Sequence, residues 1–191
     1  MQEKPLQGLR VAALVATDFE QVELVEPKKA LEQAGAKVDI VSPVHGEVQG
    51  MRHDEKADRF HVDVPLEQAR ANDYDALLLP GGALNADALR AVELAQDFVQ
   101  QFDELDKPIA VICHGPWLLV SSNLVNGRTL TSYHTIKDDI RNAGGRWLNV
   151  EVVRDRNWVS SRQPSDIPAF NRQMIRLFQE HVAGRQQRRA A

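Results

Sequence analysis

Cysteine is the scarcest chemistry in this chain: one residue, Cys113, among 191. One thiol excludes an intrachain disulfide and any thiolate metal knuckle, and it fits a reducing compartment, so a cytoplasmic location is expected. Histidine is sparse as well, at 6 residues with no HExxH pair. His45, His53 and His61 have no ligand spacing with a Cys or a carboxylate cluster, so neither a metal nor another cofactor is expected. Long apolar runs are missing, since none approaches the roughly 18 residues that cross a bilayer. The opening MQEKPLQGLRVAALVA lacks the long apolar core and cleavage site of a secretory signal. Basic excess is missing too: 23 Lys and Arg against 27 Asp and Glu leave a formal charge of −4. That balance offers no field for nucleic acid, and RQQRR near the C-terminus reads as a solvated tail.

What the chain does contain is ordinary core material, 43% hydrophobic with 26% charged residues. That composition supports one globular domain over residues 1–191, with about 1–7 and 184–191 as flexible ends. No repeat or linker-like stretch divides it. Strand-length apolar runs alternate with helical patterns. Leu9–Ala16, Lys37–Val41, Ala76–Leu79 and Pro108–Ile112 read as strands, and Phe60–Val64 as a half-exposed strand or hairpin arm. Helices are expected over Val22–Ala34, Asp87–Phe102, Trp117–Val125, Ile136–Asn142 and Pro168–Val182. Val150–Val153 and Trp158–Ser160 suggest two further strands around a polar turn. Near-continuous apolar strands between helices predict a mostly parallel sheet covered on both faces.

Ligands of such sheets sit beyond the carboxyl ends of the strands. Three segments end there in chemistry that packing does not require: Thr17-Asp18-Phe19-Glu20, Pro80-Gly81-Gly82 and Cys113-His114-Gly115. They are expected to converge. In AVICHGPWLL a strand delivers Cys113 to a tight turn, and Pro116 opens a helix. This is a nucleophile elbow carrying sulfur, with backbone N–H groups and a helix dipole expected to lower the thiol pKa. Glu20 is the expected carboxyl partner of that sulfur, while Asp18 and Glu23 read as helix-entry capping residues. His114 follows the cysteine directly, and adjacent side chains at a tight turn are expected to project apart. It could still bond a carboxylate elsewhere and serve as a weaker base. Gly81-Gly82 and the His114 N–H are candidate oxyanion donors, and His134 is a candidate lining residue.

The stretches TDFEQVEL, ALLLPGG, AVICHGPWLL, GRTLTSYHTIKDDIRNAGGRW and EVVRDRNWVSSRQPSDIPAFN, spread over nearly the whole chain, resemble the PfpI branch of the ThiJ/PfpI superfamily. That superfamily is related to the class I glutamine amidotransferase domain. The resemblance implies a flavodoxin-like α/β three-layer sandwich with a strained Cys113 at the elbow. It implies Glu20 as the carboxyl paired with the sulfur, and Gly82 and His114 as oxyanion donors. Homodimers are implied, some assembling into hexamers, with an acid from a neighbouring subunit on the active-site His; Asp87 is the position that aligns. Trp117 stands in CHGPW where a polar residue is commoner, which reshapes the pocket. The activities implied are cofactor-free glyoxalase or deglycase action on methylglyoxal, glyoxal or early glycation adducts, intracellular cysteine peptidase action, and redox sensing through Cys113. A small carbonyl needs only a thiolate, an oxyanion site and one proton-moving carboxyl. Peptide hydrolysis needs in addition an oriented imidazole. Carbonyl detoxification is therefore the expected function, with the peptidase and the sensor as alternatives.

Overall fold

Strands that are apolar at every position need helices above and below them, and the structure supplies both layers. It is a computed structural model describing residues 4–190, with side chains described up to Gly184. Along the chain run β1 (Arg10–Leu14), β2 (Phe19–Glu20), α1 (Gln21–Gln33), β3 (Lys37–Ser42), β4 (Glu47–Arg52), β5 (Glu55–His61) and β6 (Val64–Pro65). There follow β7 (Ala76–Leu79), α2 (Ala83–Arg90), α3 (Glu93–Glu104), β8 (Ile109–Ile112), α4 (Pro116–Ser121), β9 (Thr129–Leu130) and α5 (Lys137–Asn142). The chain closes with β10 (Arg146–Trp147), β11 (Val152–Asp155), β12 (Trp158–Ser161) and α6 (Ile167–Ala190).

The main sheet has the order β11-β12-β8-β7-β1-β3-β6 and is parallel except for β11 against β12. Its centre, β3-β1-β7-β8-β12, is the flavodoxin-like order 2-1-3-4-5, whose switch point lies between β1 and β7. Alternate residues of β1 separate two cores. Val11 and Ala13 pack with Leu24 and Leu31 of α1 and Phe170, Met174 and Phe178 of α6. Ala12 and Leu14 pack with Phe98 and Phe102 of α3 and Leu118 of α4. The ends of β1, β7 and β8 thus meet at one edge of a layer that is rigid on both sides.

Several expectations are adjusted by tertiary packing. The helix expected over Asp87–Phe102 is two helices, α2 and α3, broken at Ala91–Val92. Phe60–Val64 divides between β5, which pairs with β4 in a separate small sheet, and β6 of the main sheet. Residues 4–7 are not a loose end: Leu6 is fully buried and its N–H bonds Ala34 O at 2.9 Å. The closing helix α6 continues to Ala190, past the expected frayed end. Residues 1–3 and 191, with the side chains of RQQRR, lie outside the described residues.

The far end of the sheet is held by a polar knot. The Arg128 guanidinium lies 3.7 Å from the centre of the Trp158 ring and donates to Asp103 Oδ1 at 3.1 Å and Asn157 Oδ1 at 2.7 Å. Trp158 Nε1 and Asn157 Nδ2 donate to the same Asp103 oxygen. Removing one member of a buried pair leaves the other charge uncompensated, which costs about 3 kcal/mol. Asp103→Ala is therefore expected to lower the unfolding free energy by that order, read as a lower urea midpoint at an unchanged m-value, without disturbing the opposite strand edge.

Candidate active site

β8 ends in a residue that no strand would tolerate. Cys113 takes φ +62°, left-handed for a non-glycine residue, a conformation that costs roughly 1–2 kcal/mol. It is held there from both sides: its N–H bonds Ser161 O at 3.1 Å, and its C=O accepts from Tyr133 N at 2.9 Å. Close packing beneath the turn needs glycine, since a Cβ on Gly115 would stand 2.8 Å from Leu79 O. Strand, strained cysteine, Gly115 and Pro116 form the elbow that the sequence predicts. Cys113 is only 7% exposed yet opens onto a cavity of about 460 Å³.

The carboxyl beside that sulfur is Glu23, which corrects the expectation for Glu20 as well as the capping role expected for Glu23. Glu23 is fully buried on the first turn of α1. One oxygen, Oε2, accepts the Gly81 N–H at 2.8 Å, and the carboxyl hydrogen-bonds the Cys113 side chain. A Cβ on Gly81 would collide with both groups, at 2.4 Å from Glu23 Oε2 and 2.6 Å from Cys113 Cβ. Glycine at 81 is what lets acid and sulfur meet. Its N–H is spent on Glu23, so Gly81 is not the expected oxyanion donor, whereas Gly82 lines the cavity with its N–H close enough to the sulfur to lower the thiol pKa. Asn85 fixes this loop. Its Oδ1 takes the Ala16 N–H at 2.7 Å while its Nδ2 donates to Pro80 O and Gly81 O, tying the end of β1 to the end of β7.

Burial governs the protons of the pair. It pushes the Glu23 carboxyl up to about 8, against smaller lowering by the Cys113 and Gly81 hydrogen bonds. Burial also pushes the Cys113 thiol well above its ordinary value, with the negative charge of Glu23 adding to it; the N–H groups of Gly82 and His114 oppose. The expected resting thiolate is thus corrected. α4 has six residues, too short to supply the full dipole of a longer helix, and desolvation of a charged sulfur outweighs the donors present. The Glu23 repulsion belongs to its carboxylate form. A proton on Glu23 removes that charge and turns the group into an O–H donor toward sulfur.

His114 does reach its neighbour. Nδ1 lies 3.2 Å from Cys113 Sγ and Nε2 lies 3.3 Å from Thr135 Oγ1, so the expectation that the two side chains project apart is overturned. The left-handed turn at Cys113 departs from the extended geometry in which neighbours alternate. The ring stacks on Tyr133 at 4.9 Å and meets the edge of Trp117 at 5.5 Å. Burial first, and His134 second, hold its pKa below the ordinary value, keeping the imidazole neutral. Among the described residues no carboxylate bonds it.

The three strand-end segments converge as expected. Glu20 N donates to Gly81 O at 3.3 Å, and Asp18, Glu20, Gly82, Cys113 and His114 border one cavity. Glu20 sits at its mouth, where Oε2 accepts the His53 N–H at 3.1 Å. His134 is exposed and its ring meets Tyr133 at a tilt of 45°; Tyr133, not His134, faces the cavity. Trp117 stays behind His114 with Nε1 on Asp139 Oδ2 at 3.0 Å, outside the cavity. Asp87 is exposed on α2 and away from the cavity. Sequence reasoning missed Asn85, Tyr133 and Thr135, and also Met51 and His53, which the β4–β5 hairpin brings to the wall. Among the described residues no three His, Cys, Asp or Glu side chains are grouped to hold a metal ion, and no helix is long and apolar enough to cross a membrane.

A carboxyl whose folded-state pKa exceeds its ordinary 4.5 and stands near 8 binds an extra proton in the folded state across that window. Folding stability contributed by Glu23 therefore falls as pH rises through the window. Glu23→Gln is expected to flatten that decline, read as the unfolding free energy across the same pH range. An equally steep decline in the variant would place the titration elsewhere.

The DJ-1/PfpI family model matches residues 9–177. Deglycase PfpI of Pyrococcus furiosus is 38% identical over 170 residues, 89% of this chain and 99% of that protein. "Putative cysteine protease YraA" of Bacillus subtilis is 38% identical over 169 residues, 88% of this chain and 98% of that protein. Among solved structures, a two-domain protein of Anabaena variabilis with DJ-1/ThiJ/PfpI-like and ferritin-like domains superposes with a TM-score of 0.81 at 30% identity, over 87% of this chain and 47% of that one. DJ-1beta of Drosophila melanogaster gives a TM-score of 0.80 at 25% identity, over 92% of this chain and 96% of that one. With the strained Cys113 elbow standing in the flavodoxin-like sheet and these matches along nearly its whole length, the chain belongs to the DJ-1/PfpI family.

Proposed function

We propose that this protein is a cysteine-dependent enzyme of reactive-carbonyl detoxification, acting on α-oxoaldehydes such as methylglyoxal or on their early adducts. The observation that carries the reading is Glu23: a buried acid, pushed up to about 8, in hydrogen-bond contact with the only thiol. Relatives named as deglycases, at 38 and 40% identity, support it.

In this reading, His114 Nδ1 takes the Cys113 proton and Nε2 passes one by way of the exposed Thr135 hydroxyl to solvent, which returns a proton to Glu23 as the product leaves, so the imidazole need not stay charged. The sulfur then attacks the aldehyde carbon. A C–S bond forms, and the charge that develops on oxygen is met by the Gly82 N–H and by the proton of Glu23. The Glu23 carboxylate next removes the hydrogen from the sulfur-bearing carbon and returns it to the neighbouring carbon. The hemithioacetal thereby becomes the thioester of a 2-hydroxy acid. Water cleaves the C–S bond and restores the thiol. One oxoaldehyde plus one water gives one 2-hydroxy acid, with no external oxidant or reductant.

The peptidase remains the second reading, favoured by the 3.2 Å approach of His114 to the sulfur and by the relative named as a protease. It would need a carboxylate on His114 from another copy, for which exposed Asp87 is available. A sensor role has less support, because a buried thiol held above its ordinary pKa is slow to oxidise.

Cys113→Ala is expected to abolish conversion of methylglyoxal to lactate. Glu23→Gln should keep the thiol and lower kcat by roughly 10²–10⁴-fold, the scale of a lost general acid–base. Peptide turnover measured beside it should be absent. Unchanged lactate formation in Cys113→Ala would refute the mechanism, and peptide cleavage sensitive to Asp87→Ala would favour the second reading.

A further inference from the structure

The cavity above Cys113 is walled by residues of one sign. Asp18, Glu20 and Glu23 contribute carboxyl groups, while among the described residues no Lys or Arg lines it. His114 is kept neutral by burial. His53 is the one other imidazole on the wall. Two arginines adjoin lining residues in sequence: Arg162 donates to both oxygens of Asp166 at 2.8 and 3.1 Å, and exposed Arg52 borders the neighbouring groove that Glu20, Glu26 and His53 also line.

The two outer carboxylates are carried on a fixed backbone. A Cβ on Gly82 would stand 2.6 Å from Glu20 N and 3.0 Å from Asp18 O, so this segment packs directly on the proposed oxyanion donor. Asp18 is locked at φ +59° with its N–H on Gln49 O at 2.8 Å. The Glu20 side chain is 13% exposed and braced by His53, and its charge reaches far enough inward to raise the Glu23 pKa. Deeper in, Glu23 Oε1 is buried with no hydrogen-bond partner. The cavity therefore has a neutral acid beside sulfur at its floor and two carboxylates on a fixed backbone at its mouth.

We infer that Asp18 and Glu20 select substrates whose reacting carbonyl is attached to a cationic group, a guanidinium above all, and reject those that carry a carboxylate. The inference rests on the carbonyl reading of the same site. A planar guanidinium offers paired N–H donors that match carboxylates, and an anion entering the mouth meets two like charges.

Because Cys113 is the sole cysteine, charged thiol probes read the mouth directly without turnover. Methanethiosulfonates form a Cys113–S–S–R bond and expel methanesulfinate, so only the charge of R is varied. The labelling rate of the trimethylammonioethyl reagent over the sulfonatoethyl reagent is to be normalised to the same ratio for a small free thiol. That ratio is expected to exceed one by roughly tenfold per carboxylate, to fall in Asp18→Asn and Glu20→Gln, and to shrink in wild type at high salt. A wild-type ratio equal to that of the free thiol, or one indifferent to salt, overturns the inference without needing any variant to fold. A second arm compares kcat/KM for 4-guanidino- and 4-carboxyphenylglyoxal, each scaled to its rate of addition to a free thiol. Turnover without charge preference defeats the inference alone; a labelling preference without turnover of any glyoxal defeats the carbonyl reading alone.

Discussion

The buried contact between the Glu23 carboxyl and the Cys113 sulfur is the constraint around which the rest of the molecule is organised. Two ionisable groups in a site this dry repel each other if both are charged, so the contact survives only while at least one proton is shared between them. The chain brings it about by removing atoms. Gly81 has no Cβ to part the two groups, and Gly115 lets the turn settle onto β7. Asn85, itself fully buried, binds the loop after β7 to the end of β1. The left-handed strain at Cys113 is held by hydrogen bonds from the sheet edge on one side and Tyr133 on the other. A looser scaffold would relax that strain and let water in.

The same burial sets the chemistry. Desolvation keeps both groups protonated at rest, which disfavours indiscriminate reaction of the thiol with oxidants. Activation is then a matter of where one proton goes. His114, neutral and fixed between Tyr133 and Trp117 with a hydroxyl at its far nitrogen, offers a route that leaves no lasting charge on the ring. Glu23, once neutral, ceases to repel a sulfur anion and becomes its donor. A buried acid–thiol pair thus combines a quiet resting state with a reactive one separated by a single proton.

Much of this was legible in the sequence. The elbow was, because strand, cysteine, glycine and Pro at a helix's first position each carry local chemistry. So was the convergence of three strand ends, which follows from parallel-sheet topology. The identity of the acid was not read, although a signal existed. Glu23, Pro27 and Leu31 fall in one i, i+4, i+8 row of α1, and all three are buried. A carboxyl on a buried stripe is the informative departure from amphipathic order, whereas Glu20 merely followed a strand. His114 was misjudged because side-chain directions were inferred for an ordinary turn, while the actual backbone is left-handed. The β4–β5 hairpin left little trace: EKADRFH is mostly charged and exposed, so its supply of Met51 and His53 to the cavity depends on long-range pairing.

Glu20 and Glu23 stand three residues apart at the start of one helix and yet occupy opposite electrostatic roles. Their identities and reference pKa values are the same; only depth differs. Glu20, partly exposed and braced by a backbone N–H, is the carboxyl to which we assign guidance at the mouth. Glu23, sealed beneath Gly81, retains its proton and is the donor in the proposed reaction. Environments that drive two carboxyls apart in protonation are how one site obtains both an electrostatic guide and a proton donor from a single residue type. The spacing follows from the helix. Glu20 is the N-cap and still lies on the pocket rim, while one turn further in the stripe of Leu24, Pro27 and Leu31 drags Glu23 into the core. Sliding the helix start by one residue would therefore exchange depth for exposure, and with it the donor for a mere charge.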